Sequence, residues 1–168
     1  MSVIRVVWGS GRGPTATAAY DAALAAAGIH DSNRVTVSSV VPAGPAVEAV
    51  GTAPDLGPPG EALAVVQARA SVGPGGEDGD AGGDERDPAV AAVGWARSAD
   101  GPGVFYEAGG RDAASVRGAV REGLEHGVGL REWEAAERDL VLERADPDPG
   151  EHTCVVVCAV YGESRPLV

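Results

Sequence analysis

The 168-residue sequence predicts an α+β domain in which helices and sheets are stacked in layers. Three observations lead to this prediction. Short apolar runs with the two-residue period of strands recur along the chain, while two segments have the spacing of amphipathic or alanine-rich helices. Hydrophobic residues make up 44% of the chain, which is enough for a sizeable core. No internal repeat is present, so one domain is expected.

The first elements are a predicted strand, turn and helix. Val3 to Trp8 alternates between faces and predicts a strand, and Gly9 to Pro14 predicts a turn because three glycines and a proline are poor strand formers. Ala16 to Ala27 consists almost wholly of helix formers. Thr15 is placed to cap its start and Gly28 to end it.

The next part of the chain alternates strands with irregular segments. Arg34 to Ser39 is β-branched with period two and predicts a strand that runs into Val40-Val41-Pro42. Pro42 to Gly60 is rich in proline and glycine and predicts an irregular connection, after which Glu61 to Ala70 predicts a strand. Gly73 to Asp87 has no apolar residue larger than alanine and predicts a mobile loop.

The last part predicts a hairpin, a helix and a buried strand. Ala89 to Arg97 and Val104 to Glu107 flank a turn and predict a hairpin, and Asp112 to His126 carries apolar residues at helical spacing. Glu134 to Arg144 fits either a helix or a strand. Thr153 to Tyr161 is a continuous apolar run, which is typical of a central strand.

The charge of the chain limits the classes of partner that it is expected to bind. The net charge is -12, and all 13 basic residues are arginine. Nucleic acids and anionic membranes both need clustered positive charge, so neither is an expected partner, whereas a cationic small molecule is easily attracted. An acidic chain without lysine is typical of salt-loving archaea, and we expect it to lose structure in low salt.

Several features predict a cytoplasmic protein without a metal site. No stretch approaches the roughly 20 apolar residues of a membrane span, and no secretory signal is recognisable at the N-terminus. Cys154 and Cys158 lie about 13 Å apart in a strand, too far for a disulfide, and are expected to be buried core thiols. His30, His126 and His152 are scattered and suggest no metal centre.

The segment Gly9-Ser10-Gly11-Arg12-Gly13 between a strand and a helix is similar to a phosphate-binding turn. Its spacing is not GxGxxG, and no Gly-Lys-Ser/Thr follows. A structural turn, or a loop that lines some other pocket, is therefore favoured. A non-catalytic domain that binds a nucleotide or another small molecule through this loop remains an alternative function.

Ser38-Ser39 is uninformative alone, since serines at the end of a strand are commonplace. Their context resembles the pyruvoyl-dependent arginine decarboxylases, densely up to Pro42 and more thinly beyond. The resemblance is carried, in order, by Gly9 to Thr15, Tyr20-Asp21, Gly28-Ile29, Asn33, Val37 to Val40, Pro42 and Glu107. It implies a layered αββα sandwich with mostly antiparallel central sheets flanked by helices. It also implies a homotrimer of cleaved protomers with active sites between subunits.

The resemblance implies that one domain, residues 1–168, cuts itself into a β chain, 1–38, and an α chain, 39–168. Ser39 Oγ would attack the carbonyl of Ser38, and elimination from the resulting ester would leave dehydroalanine and then a covalent pyruvoyl group at position 39. Asn33 matches the residue that assists this cleavage. Read without the family, Asn33 is an ordinary turn residue.

The same resemblance implies the roles of two acids. Glu107 matches the proton donor, and Asp21 matches the residue that binds the guanidinium of the substrate, to which a carboxylate can accept two parallel hydrogen bonds. Both also fit solvated surface positions, and Ala108 stands where some relatives carry a second acid. The expected activity converts L-arginine to agmatine and carbon dioxide through a Schiff base on the ketone, which would place the chain in polyamine synthesis. A pyruvoyl decarboxylase of another amino acid is the alternative within this chemistry.

Overall fold

The computed structural model describes residues 3–76, 87–99 and 101–168, and these residues contain two α-helices and nine strands. In chain order the elements are β1 (Val3–Gly13), α1 (Ala16–Ala27), β2 (Asn33–Thr36), β3 (Val40–Val41), β4 (Ala46–Gly51), β5 (Ala62–Val72), β6 (Ala89–Ser98), β7 (Gly103–Gly110), α2 (Ala113–Leu130), β8 (Ala135–Ala145) and β9 (His152–Tyr161). Most of the predicted loop Gly73 to Asp87 lies outside the described residues.

The first sheet has five strands in the order β2-β5-β9-β1-β4. Its central strand, β9, is antiparallel to both β5 and β1, whereas the two outer pairs, β2 with β5 and β4 with β1, are parallel. Every residue from Thr153 to Val160 is buried, which confirms the prediction of a central strand. Cys154 and Cys158 lie in this strand as buried free thiols, also as predicted.

The second sheet has four antiparallel strands in the order β3-β7-β6-β8. The predicted hairpin forms its centre, as β6 and β7 pair from Val90 opposite Gly110 to Arg97 opposite Gly103. The ambiguous segment Glu134 to Arg144 is resolved as a strand, because β8 pairs with β6 along nearly its full length.

The two sheets and two helices form four layers, so the predicted αββα sandwich is confirmed. One core lies between the sheets and contains Val66, Val93, Phe105 and Val157. A second lies between α1 and the five-stranded sheet, and a third between α2 and the four-stranded sheet. Each sheet therefore buries both of its faces.

The prediction of a turn at Gly9 to Pro14 is wrong, because β1 continues to Gly13 and pairs with β9 to its end. The glycines at alternate positions face α1. A Cβ atom on Gly11 would lie 2.3 Å from the backbone nitrogen of Ala23, and one on Gly9 would lie 2.4 Å from its carbonyl oxygen. These glycines allow an alanine-rich helix to lie directly on the backbone of the strand.

The helix α1 has the predicted bounds. The Thr15 side chain accepts a hydrogen bond from the Ala18 backbone N–H at 3.1 Å, and Gly28 ends the helix at φ 78°, a conformation that favours glycine. The second helix, predicted from Asp112 to His126, has Asp112 as its N-cap and continues beyond the predicted end to Leu130. None of the described helices is long and apolar enough to cross a membrane.

Two strand predictions need correction. The strand predicted from Arg34 to Ser39 ends at Thr36, because the chain then leaves β5 and crosses to the other sheet. The segment Pro42 to Gly60, predicted to be irregular throughout, contains β4. Parallel pairing with β1 supplies the hydrogen bonds of β4, and this distant partner is not visible in local sequence.

Candidate active site

The two serines lie where the chain passes from one sheet to the other. The Val37 N–H donates to the Val65 carbonyl at 3.0 Å, which is the last backbone bond to the five-stranded sheet. Three residues later, Val40 pairs with Val104 of β7 in the four-stranded sheet. Ser38 and Ser39 therefore span the gap between two fixed strands.

A cavity of about 320 Å³ opens at this crossing. It is lined by the two serines, by consecutive residues of β7, and by one arginine from the turn after α2. The complete lining is Ser38, Ser39, Val40, Val104, Phe105, Tyr106, Glu107 and Arg131. The walls are thus partly aromatic and aliphatic, and they carry one acid and one base.

Within the cavity, Ser39 Oγ donates a hydrogen bond to Glu107 Oε2 at 3.3 Å. The two residues are far apart in sequence and meet because β3 and β7 are paired. The structure therefore brings together the predicted cleavage site and the predicted proton donor. Glu107 is exposed and Ser39 is half-buried, so a small molecule can reach both.

The backbone around Ser39 is held at two points. The Phe105 N–H donates to the Ser39 carbonyl at 2.9 Å, and the Val40 N–H donates to the Ser38 carbonyl at 2.8 Å. The second bond closes a three-residue turn with Ser39 at its centre. A hydrogen bond to the Ser38 carbonyl also polarises it, which makes its carbon a better electrophile.

Tyr161, at the end of β9, supports the same segment and was not identified from the sequence. Its hydroxyl donates to the Val40 carbonyl at 3.0 Å, and its ring packs edge-on against Phe105. Burial raises the pKa of Tyr161 to about 12, and the negative charge of Glu107 adds to the rise. The hydroxyl is therefore a neutral donor throughout the physiological range.

Arg131 was also missed, since nothing in the local sequence separates it from the other arginines. It follows the last turn of α2, where its Nη1 donates to the Gly127 carbonyl at 3.0 Å and its guanidinium lies over the ring of Trp133, 5.5 Å from the centroid. Carbonyl groups at a helix C-terminus favour a cation. These contacts hold Arg131 at the wall of the cavity.

Asp21 and Asn33 are not brought to this cavity. Asp21 lies exposed on α1, in the layer on the far side of the five-stranded sheet. Asn33 begins β2, and its side-chain amide donates to the Gly60 carbonyl. An extended chain places it about 13 Å from Val37, at the opposite end of the strand from the serines. Their predicted roles stay predictions.

The alternative site at Gly9 to Gly13 has no structural basis. The segment is extended, pairs with β9 and has α1 packed against its glycines, so its backbone N–H groups are not arranged around an open cradle. In the described parts of the chain, no group of three or more His, Cys, Asp or Glu side chains is placed to hold a metal ion. The cavity at the serines is therefore the best candidate for chemistry.

Comparison with known proteins identifies the family of this chain. Residues 3–166 match the family described as pyruvoyl-dependent arginine decarboxylase. Two curated proteins with that name, from two strains of Halobacterium salinarum, are each 43% identical to this chain over 169 residues. The alignments cover 99% of this chain and 98% of each relative.

Proposed function

Because this chain belongs to the pyruvoyl-dependent arginine decarboxylase family, we propose that it cuts itself between Ser38 and Ser39 and then converts L-arginine to agmatine and carbon dioxide. One observation carries the proposal: Ser39 and Glu107 share a cavity and a hydrogen bond of 3.3 Å. The products of cleavage are a β chain, 1–38, and an α chain, 39–168.

The geometry at Ser39 suits self-cleavage. The Ser39 hydroxyl is next to a carboxylate that can accept its proton, and the Ser38 carbonyl is polarised by the Val40 N–H. Attack of Ser39 Oγ on that carbonyl exchanges the peptide bond for an ester. Because Phe105 and Tyr161 hold the backbone on the downstream side, position 39 stays in the cavity after the cut.

A pyruvoyl group derived from Ser39 fits the residues present. The bond from the Phe105 N–H to the carbonyl of residue 39 does not depend on the serine side chain or on the backbone nitrogen, so it survives the conversion. Such a group supplies an electrophilic ketone that draws off the electron pair left when carbon dioxide departs. Glu107 lies beside that position and can deliver a proton to the α-carbon of the substrate.

Recognition of the arginine side chain is the part that one chain lacks. Within the described residues, Glu107 is the single carboxylate that lines the cavity, whereas Asp21 is on α1. We therefore propose a homotrimer in which a neighbouring copy brings Asp21 to the guanidinium. The proposed role of Asn33 in assisting the cleavage rests on the resemblance to the family alone.

A denaturing mass spectrum of the purified full chain tests the proposal. We expect two fragments that separate after Ser38, with the larger lighter by one ammonia than a fragment beginning with serine. The Ser39→Ala variant, which lacks the attacking hydroxyl, should stay intact. Wild-type protein that remains a single chain under conditions where it is folded would refute self-cleavage, and cleaved protein that releases no carbon dioxide from arginine would refute the activity.

A further inference from the structure

Self-cleavage creates a charge that the structure must accommodate. In the ester between Ser39 Oγ and the Ser38 carbonyl carbon, loss of the Ser39 α-proton to solvent breaks the bond between Cβ and Oγ. The electron pair of that bond leaves with the oxygen, so Ser38 departs as a carboxylate. Position 39 is left as dehydroalanine, and water later releases its nitrogen as ammonia.

The new carboxylate appears next to an existing one. Ser38 lines the same cavity as Glu107, whose carboxylate already accepts the hydrogen bond from Ser39 Oγ. Two negative charges within one small cavity repel each other, and the repulsion raises the barrier to elimination. The net charge of the whole chain is -12, so the overall electrostatic field does not reduce this repulsion.

Arg131 is the single cation among the described residues that line the cavity. One of its nitrogens, Nη1, bonds the Gly127 carbonyl, and within the described part of the chain Nε and Nη2 bond no other group. The contacts with Gly127 and Trp133 fix the position of the Arg131 guanidinium. A planar guanidinium with two free donor groups is suited to bind a carboxylate.

We infer that Arg131 binds the carboxylate that forms at Ser38 and so promotes the elimination step of self-cleavage. This inference rests on the proposed self-cleavage, but it concerns a different step from the attack by Ser39. It assigns to the cavity a second role, in which the turn after α2 holds the new end of the β chain beside the new start of the α chain.

The two steps can be separated chemically. Hydroxylamine cleaves esters but not peptide bonds under mild conditions, so it cuts a precursor that has formed the ester and not one that retains the amide. If Arg131 acts on elimination, Arg131→Gln should slow fragment formation by at least about tenfold and should accumulate a precursor that hydroxylamine cuts after Ser38. Arg131→Lys, which keeps a point charge without the fork, should be intermediate.

Matched controls keep the outcome decisive. Arg121→Gln removes the same charge from the exposed surface of α2 and should process like the wild type, and Ser39→Ala should resist hydroxylamine. Circular dichroism and thermal melts identify variants that fail to fold. If Arg131→Gln does not fold, Arg131→Lys decides the matter.

The inference is overturned if Arg131→Gln, or Arg131→Lys where the first does not fold, yields fragments at the wild-type rate. It is also overturned if fragment formation slows without a hydroxylamine-sensitive precursor. Failure of the proposed function has a different signature, because the wild type itself would then give neither fragments nor an ester.

Discussion

The cavity at Ser39 and the outer face of α1 both carry residues that the sequence marked as functional, yet the fold treats them differently. Pairing of β3 with β7 brings Ser39 and Glu107 into contact across a long stretch of sequence. Asp21 stays in a separate layer, with the five-stranded sheet between it and the cavity. One chain therefore brings together the groups predicted to make the cofactor and to move the proton, but not the group predicted to recognise the substrate.

Among the variants that test this difference between the cavity and α1, Glu107→Gln should have the largest effect on activity. Glutamine still accepts a hydrogen bond from Ser39 Oγ but cannot donate a carboxyl proton, so kcat for agmatine formation should fall by about 10²- to 10⁴-fold. Fragments should still form, but more slowly, because glutamine cannot accept the Ser39 proton during self-cleavage. The measurement is carbon dioxide release per cleaved protomer, with the exposed Glu122→Gln as a matched control. Retention of full activity in cleaved Glu107→Gln protein would remove Glu107 as the donor.

Asp21→Asn should have a smaller and more selective effect. Loss of a charged hydrogen-bond partner should raise KM for arginine by about 10- to 100-fold, while self-cleavage stays at the wild-type rate. Glu48→Gln, at another exposed carboxylate, serves as the control. If arginine turnover is unchanged, Asp21 does not bind the guanidinium, and the search for a different amino acid substrate is justified.

Tyr161→Phe should have the smallest effect and should sharpen the description of the cavity. Loss of the bond to the Val40 carbonyl should destabilise the protein by about 1 kcal/mol at neutral pH. The folded-state pKa of Tyr161 is raised to about 12 from an ordinary value of 10.0, so its contribution to stability is complete below pH 10 and is lost as the pH rises through 12.

Thermal melts across this pH range test that expectation, with Tyr106→Phe as the control. The absence of lysine simplifies the comparison, since no ammonium group titrates there. Buried Cys158, whose pKa burial also raises to about 12, contributes equally to the wild type and the variant. Parallel stability curves for wild type and Tyr161→Phe above pH 10 would contradict the predicted linkage.

The elements that follow from local chemistry could be predicted from the sequence. Thr15 and Gly28 bound α1 because a hydroxyl cap and a left-handed glycine act within a few residues, and the all-apolar run of β9 reflects burial on both faces. The glycines from Gly9 to Gly13 led to the wrong prediction of a turn. Glycine is needed there because the alanine face of α1 packs against the strand. Local patterns cannot report such a partner.

The residues of the candidate site also divide into those that could be identified from the sequence and those that could not. Ser39 and Glu107 were identified through resemblance to a family, since neither residue is unusual in its own segment. Tyr161 and Arg131 were missed because their importance depends on strand ends and a helix end that meet only in the fold. Chain crossing, rather than any motif, decides which ordinary side chains share a cavity.

The position of β1 predicts that the two fragments would stay together after self-cleavage. The β chain would carry β1, which pairs with β9 from Ile4 to Gly13 and with β4 from Val3 to Val7, together with α1 and the edge strand β2. Its release would require the five-stranded sheet to open, so the two fragments should persist as one particle. Unfolding, however, would become a dissociation, and refolding a bimolecular search that dilution makes slower. The cleaved protein would thus persist because its two fragments dissociate slowly. No peptide bond would hold them together once they had separated.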